Sequence, residues 1–342
     1  MLLLPGIVAA QTGAIVGVVI DRESGQPLTN SIVEVRQLSR SAFTTDSGAF
    51  SFHALSVGDW TLSVRRLGFT PRELPIHVRE GATDTLRVLL ARVAVRLAGV
   101  TVRAWPPCVA PGVPTDSALA VVVQQIRLNA EQYRFLSKQH PFAYTSTASR
   151  SGTLRRTGRV VSELPRVEVV RSSGESRYAP GAVIQRRRGL QFFQVPTLIE
   201  VADPAFIESH CWHNGGTERI EDLDMIRVDI VAADSLKSPD VNGSFLLHPV
   251  TFQIARAVLH LSRKPRELPD LLDMVVTTEF MEVLPSIPVI DRVTSVQTMD
   301  PKRRPTYLDT REELRTTNFL WTGAKPGVAT PPRDSLNAPK RP

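Results

Sequence analysis

F-T-T-D-S-G-A-F-S-F-H-A-L-S-V-G-D-W-T-L-S-V-R-R-L-G-F, running from Phe43 to Phe69, holds two strands and two turns and decides the fold class of the chain. Asp46-Ser47-Gly48 supplies a polar turn with a residue free to take positive φ. Phe50 and Phe52 then alternate with small or polar neighbours, the period of a half-buried strand. Val57-Gly58-Asp59 turns the chain again. Trp60, Leu62 and Val64 follow, alternating with Thr61, Ser63 and Arg65, which predicts an apolar face that includes Trp60 and a wet face behind it. A strand with one apolar face needs a second sheet to cover it.

Outward from this stretch the same pattern repeats. Strands are predicted at Ala14 to Ile20, Ser31 to Gln37, Phe43 to Thr45, Ala49 to Leu55, Trp60 to Arg66, Leu74 to Val78 and Thr85 to Leu90. Each is bounded by turn residues, as in Asp21-Arg22-Glu23-Ser24-Gly25-Gln26-Pro27. Short strands at this spacing, with no helical period between them, argue a β-sandwich over residues 11–92.

Four segments in order carry a resemblance: G-A-I-V-G-V-V-I-D-R-E-S-G-Q-P-L (Gly13 to Leu28), T-D-S-G-A-F-S-F-H-A-L (Thr45 to Leu55), V-G-D-W-T-L-S-V (Val57 to Val64) and L-G-F (Leu67 to Phe69). Together they resemble the carboxypeptidase regulatory-like domain, which implies a transthyretin-like sandwich serving as an accessory module rather than peptidase activity. Ala94 to Ala104, A-V-R-L-A-G-V-T-V-R-A, resembles the short strand that follows such a module in outer-membrane receptors. The chain is too short to add their barrel.

Residues 93–114 read as that strand and a proline-rich linker, W-P-P-C-V-A-P-G-V-P. Thr115 or Asp116 can cap a long helix in which Leu119, Val122, Val123, Ile126, Ala130 and Tyr133 recur at helical spacing and pack on a sheet. Strand period returns after Pro141, with candidates at Phe142 to Ser149, Gly158 to Val170, Ala182 to Val195, Met225 to Ala232, Gly243 to His248, Phe252 to Leu261, Met274 to Val283, Asp291 to Thr298 and Tyr307 to Asn318. The expectation for 115–321 is therefore an α+β domain, one long helix on a curved antiparallel sheet, within a mainly β protein. N-G-S-F-L-L-H-P-V-T-F-Q-I-A-R-A-V-L-H-L (Asn242 to Leu261) is similar to a hairpin of LolA-type lipoprotein carriers, which implies a half-barrel holding an apolar ligand or lipid. Residues 322–342 are rich in Pro, Ala and charge and read as a disordered tail.

MLLLPGIVAA, residues 1–10, looks like the apolar core and small-residue cleavage site of a secretory signal whose basic start is missing. The mature chain then begins at Gln11 and is expected in the periplasm, at the outer-membrane periphery or outside the cell. No later segment approaches the ~18 to 20 apolar residues of a membrane helix. Net charge is +7 and the pI is near 9.8, but Lys and Arg are spread along predicted strands rather than gathered in a patch, which argues against nucleic acid.

The candidates for chemistry are few. Cys108 and Cys211 are the two cysteines, and an even pair in an exported protein reads as a disulfide. Glu208 to His213 also gathers His210, Cys211 and His213, a possible zinc or copper set if Cys211 were unpaired. His77 and Glu80 have a zinc-ligand spacing, but on a strand positions three apart point to opposite faces. His248 and His260 read as solvent-facing, and Glu218, Glu221, Asp222 and Asp224 as a charged loop paired with Arg219 and Arg227. G-x-S-x-G, H-E-x-x-H and phosphate-binding glycine loops are absent from the sequence. The reading is a non-enzymatic, cofactor-free binding or scaffold protein of the cell envelope, partnered by an envelope protein or an apolar ligand. Alternatives are a carbohydrate-binding protein and an enzyme whose site is assembled from distant strands.

Overall fold

A computed structural model of the chain describes residues 11–95, 105–187, 190–266, 268–303 and 306–325. The expected signal at 1–10, most of the strand-like Ala94 to Ala104 and most of the expected tail lie outside these. Among the described residues the protein is mainly β and divides into two compact units, one within 94–323 and one of 11–93 together with 324–325.

The first unit is a sandwich of seven strands: β1 (Thr12–Asp21), β2 (Ile32–Val35), β3 (Arg40–Phe43), β4 (Ala49–Ser56), β5 (Gly58–Arg65), β6 (Arg72–Val78) and β7 (Thr83–Leu90). They form two sheets, ordered β4-β1-β7 and β3-β2-β5-β6. The quoted stretch crosses between them: Phe50 and Phe52 sit in the first sheet, Leu62 and Val64 in the second, and all four meet in one core with Ile15, Val19, Val33 and Val88. Each such side chain contributes about 1.5 to 3 kcal/mol by leaving water. Gly48 takes φ +71°, and a Cβ there would lie 2.5 Å from the Val19 carbonyl oxygen, so the turn requires glycine.

Three details differ from expectation. The third strand is Arg40–Phe43, not Phe43 to Thr45. Trp60 is only partly buried at the rim of the core, its indole Nε1 donating to the Ser56 carbonyl at 2.9 Å. Ser63, expected wet, is buried, because interior strand β5 places it between the longer Glu34 and Glu73.

Asp21 closes one end of the sandwich. It is buried and accepts from Glu23 N–H, Ser24 Oγ and Arg92. Burial alone would raise its pKa, but these donors outweigh it and hold the carboxyl below its ordinary 3.8. The folded pKa lies below the unfolded one, so the stabilisation is complete above the unfolded pKa and is lost as pH falls through the folded value. Asp21→Asn is therefore expected to lower the melting temperature at pH 6 and to narrow that gap below about pH 3.5; a gap independent of pH in thermal melts would refute this.

The second unit begins with α1 (Ser117–Gln139), whose N-cap Asp116 accepts from Leu119 N–H at 2.7 Å. Then follow β8 (Phe142–Leu154), β9 (Val160–Ser162), β10 (Arg166–Arg171), β11 (Ile184–Arg187), β12 (Leu190–Phe193), α2 (Leu198–Val201) and α3 (Pro204–Glu208). The chain continues through β13 (His210–Ile220), β14 (Leu223–Ala232), β15 (Val241–Leu247), β16 (Ile254–Leu261), β17 (Leu271–Leu284), β18 (Ile287–Met299) and β19 (Tyr307–Trp321). The main sheet is antiparallel, ordered β10-β8-β19-β18-β17-β16-β15-β14-β13, with β9 also on β8. The strand expected over Gly158 to Val170 is split at Pro165, and that over Ala182 to Val195 is a small hairpin.

Register assigns the two faces. One carries Trp212, Ile230, Phe245, Leu259 and Val276, and Phe142 farther along, where Tyr133 of α1 meets the Phe142 ring at 6.0 Å. The other carries a ladder in which Arg256 and Arg292 pair with Glu279 at 3.1 and 3.5 Å, and Arg311 and Arg315 with Glu313, both at 3.5 Å. The Lys and Arg of this unit thus include solvated ion pairs of modest individual worth. A Cβ at Gly243, on interior strand β15, would lie 2.1 Å from the Val258 carbonyl oxygen, so only glycine fits there.

Candidate functional site

On the helix-bearing face, β17 contributes Leu271, Met274 and Val276, all buried. Packed against them are Phe193, Val195, Leu261, Leu268, Val293 and Met299, each only partly buried. The alternation of β17 and β18 puts these side chains on one face, and the segment ending the β11–β12 hairpin closes over it. The result is an apolar cluster whose outer side chains stay partly exposed. Its methionines, Met274 and Met299, can adjust to a variable apolar shape.

A second cluster is fully enclosed. Asp240 is inaccessible to solvent; its Oδ2 accepts from the Tyr178 hydroxyl and from Gly181 N–H at 2.7 Å, and its Oδ1 from Val241 N–H at 2.8 Å. His210, equally buried, sets Nδ1 2.8 Å from the Phe206 carbonyl and Nε2 3.1 Å from that of Val241, with Asp240 Oδ1 at 3.7 Å. Burial pulls the His210 pKa down, against Asp240 and the two carbonyls. Burial, reinforced by Asp240, pushes that of Tyr178 up. The cluster ties the 178–181 loop, α3 and β15 together. The cavity beside it, against Tyr178 and Glu200, has a volume of about 50 Å³, too small for an organic ligand.

The residues singled out in the sequence are placed as follows. Cys108 and Cys211 form a disulfide, Cα to Cα 5.5 Å. Glu208 to His213 spans two elements: Glu208 ends α3 and His210 opens β13. Along that strand His210 and Trp212 face one way and Cys211 and His213 the other, so the two histidines cannot grip one ion. His213 has its pKa lowered by burial, against the pull of Asp229. His77 pairs with Asp59 at 2.7 Å rather than with Glu80. His248 Nδ1 accepts from Val250 and Thr251 N–H, and His260 lies 6.3 Å from the Trp105 ring; both are half-buried rather than solvent-facing. The acidic group spans the β13–β14 turn, with Arg219 on Asp222 and Asp224 and Arg227 on Glu218. Among the described residues no three His, Cys, Asp or Glu side chains gather as metal ligands, and no helix is long and apolar enough to cross a membrane.

Sequence reasoning missed this apolar cluster, Asp240 and Tyr178. It also missed Asn129 of α1, which is buried and copies a strand pairing: its Nδ2 donates to the Phe252 carbonyl and its Oδ1 accepts from Ile254 N–H, both at 3.0 Å. The signals available were Thr197-Leu-Ile-Glu200 and Asp203-Pro204, a capping box and a capped proline start that announce α2 and α3.

The first unit offers a different surface. An apolar cleft of about 400 Å³ is lined by Val16, Val18, Phe43, Ala49, Phe50 and Leu86, among others. Its volume falls within the range of ligand and peptide sites.

The family profile of the carboxypeptidase regulatory-like domain matches residues 14–91, so the N-terminal sandwich carries that domain. A search of curated proteins finds no match. Among solved structures, a chain of the type II cohesin–X-dockerin complex from Acetivibrio cellulolyticus is 19% identical with a TM-score of 0.20, over 23% of this chain and 56% of that one. The minor pilin GBS52 of Streptococcus agalactiae is 17% identical with a TM-score of 0.23, over 26% of this chain and 48% of that one. The match thus spans about half the length of each. A LolA superfamily protein, NE2245 from Nitrosomonas europaea, is 10% identical with a TM-score of 0.33, over 59% of this chain and 94% of that one.

Proposed function

We propose that this chain is an exported, non-enzymatic binding protein of the bacterial cell envelope, in which the regulatory-like sandwich is an accessory module and the second unit holds an apolar or lipid ligand. The observation that carries the reading is this apolar cluster: buried Leu271, Met274 and Val276 packed against Phe193, Val195, Leu268, Val293 and Met299 that stay partly exposed. A folded protein ordinarily completes such a core, and an apolar surface left partly exposed is one that a ligand can finish. Export is supported by the apolar residues 1–10 ending in Val8-Ala9-Ala10 and by the disulfide, a bond that persists in oxidising compartments. The sandwich cleft would meet a protein partner.

Titration of the full chain with dansyl-undecanoic acid, a fluorescent fatty acid, tests this. Saturable enhancement is expected, and Val293→Lys, which sets a charge in the cluster, is expected to weaken it by about tenfold or more with the melt unchanged. Linear, unsaturable fluorescence, or equal binding by the variant, would count against the reading.

A further inference from the structure

The main sheet ends differently at its two sides. At β13 the edge residues His210, Cys211 and Trp212 are buried, whereas β10, Arg-Val-Glu-Val-Val-Arg, is exposed at five of its residues, with Val167 and Val169 at 66% and 70%. Among the described residues no strand pairs with its outer side. Ser172 N–H donates to the Phe142 carbonyl at 2.8 Å in continuation of the β8 register. Alternate residues of an antiparallel ladder face the same partner, so Arg166, Glu168 and Val170 direct their backbone groups to β8. Those of Val167, Val169 and Arg171 point away. An exposed edge with unpaired backbone groups and apolar side chains is a template for another strand.

We propose that this edge pairs with the same edge of a second copy of the chain, β10 antiparallel to β10 about a two-fold axis at Val167. The charges choose the partner and the register. A pair centred on Glu168 sets two carboxylates directly opposite each other, and one centred on Val169 sets Glu168 against a valine. Centring on Val167 places Arg166 of each copy opposite Glu168 of the other, two unlike pairs on one face, while the valines gather on the other face. The outward N–H and C=O of Val167 then bond to their own counterparts, and Val169 N–H donates to the Pro165 carbonyl of the second copy. Pro165 has no N–H to lose. A strand that is complementary to itself in charge, backbone and apolar surface suits a C2 contact, in which one patch meets its own copy.

Sedimentation velocity of the full chain over a wide concentration range tests the proposal. The wild type is expected to dimerise. Val167→Pro removes only an N–H that points away from β8, a place where an edge strand tolerates proline; it is expected to leave the melt unchanged and the protein monomeric. Glu168→Arg, on an exposed position, is expected to raise the dimer dissociation constant by about tenfold or more, and Arg166→Glu added to it to recover most of that loss. A wild type that stays monomeric, or a dimer indifferent to Val167→Pro, overturns the pairing. A dimer that Glu168→Arg does not weaken overturns the register about Val167.

Discussion

Asp240→Ala is expected to cost the second unit about 3 to 5 kcal/mol, the range for breaking a buried charged network by removing one partner. The carboxylate is fully enclosed and answers three donors, the Tyr178 hydroxyl and the N–H groups of Gly181 and Val241. Alanine leaves all three facing a space that water reaches poorly, and each buried orphan costs about 1 to 3 kcal/mol, less than additively. His210 also loses the carboxylate beside it. For a unit of this size the loss corresponds to a fall in melting temperature on the order of 10 °C. Tyr178→Phe, which removes one donor and leaves the carboxylate its two backbone bonds, should cost only about 1 to 2 kcal/mol. Calorimetry of both variants decides the point: an Asp240→Ala melt within a degree or two of the wild type would mean the cluster contributes nothing net.

Cys211→Ser is expected to lower stability by about 2 to 4 kcal/mol and the melting temperature by several degrees. The disulfide closes a loop with a sequence separation of 103, for which chain entropy sets an upper figure of about 4 to 5 kcal/mol. Here the bond holds a strap. Cys108 is buried with Cys211, Val231 and Ala233, its carbonyl accepts from Asp234 N–H at 2.9 Å, and Gly112 N–H donates to the His210 carbonyl at 3.0 Å. A proline-rich segment with no ladder of its own is thereby laid across the face of the sheet opposite α1. The variant should also yield one thiol, that of Cys108, on titration after unfolding. Two free thiols in oxidised wild type, titrated under non-reducing conditions, would sink the prediction.

What could be read in the residues follows from periodicity. Most of the sandwich strands alternate, β1 throughout its length, so their core faces were largely visible, as was the apolar stripe of α1 from Leu119 to Ala130. β13 was not visible. Its opening, His210-Cys211-Trp212-His213-Asn214-Gly215-Gly216, has the composition of a loop, and it is a strand because Trp212 stacks on Phe245, ring centroids 6.1 Å apart, while Cys211 is bonded on the opposite face. The split at Pro165 was hidden because apolar and charged residues of strand type flank the proline on both sides.

By itself the sequence determined a mainly β chain, a seven-stranded sandwich of the regulatory-like kind at its front, a capped helix after a proline-rich stretch, and a cysteine pair able to bond. Tertiary structure alone decided which residues meet. His210 and His213, three apart, were separated onto opposite faces, while Tyr178, His210 and Asp240, drawn from a loop and the ends of two strands, were brought together. A period of two tells which side of a strand a residue occupies, but the register between strands, on which every long-range contact depends, is settled only when the faces pack and the turns close.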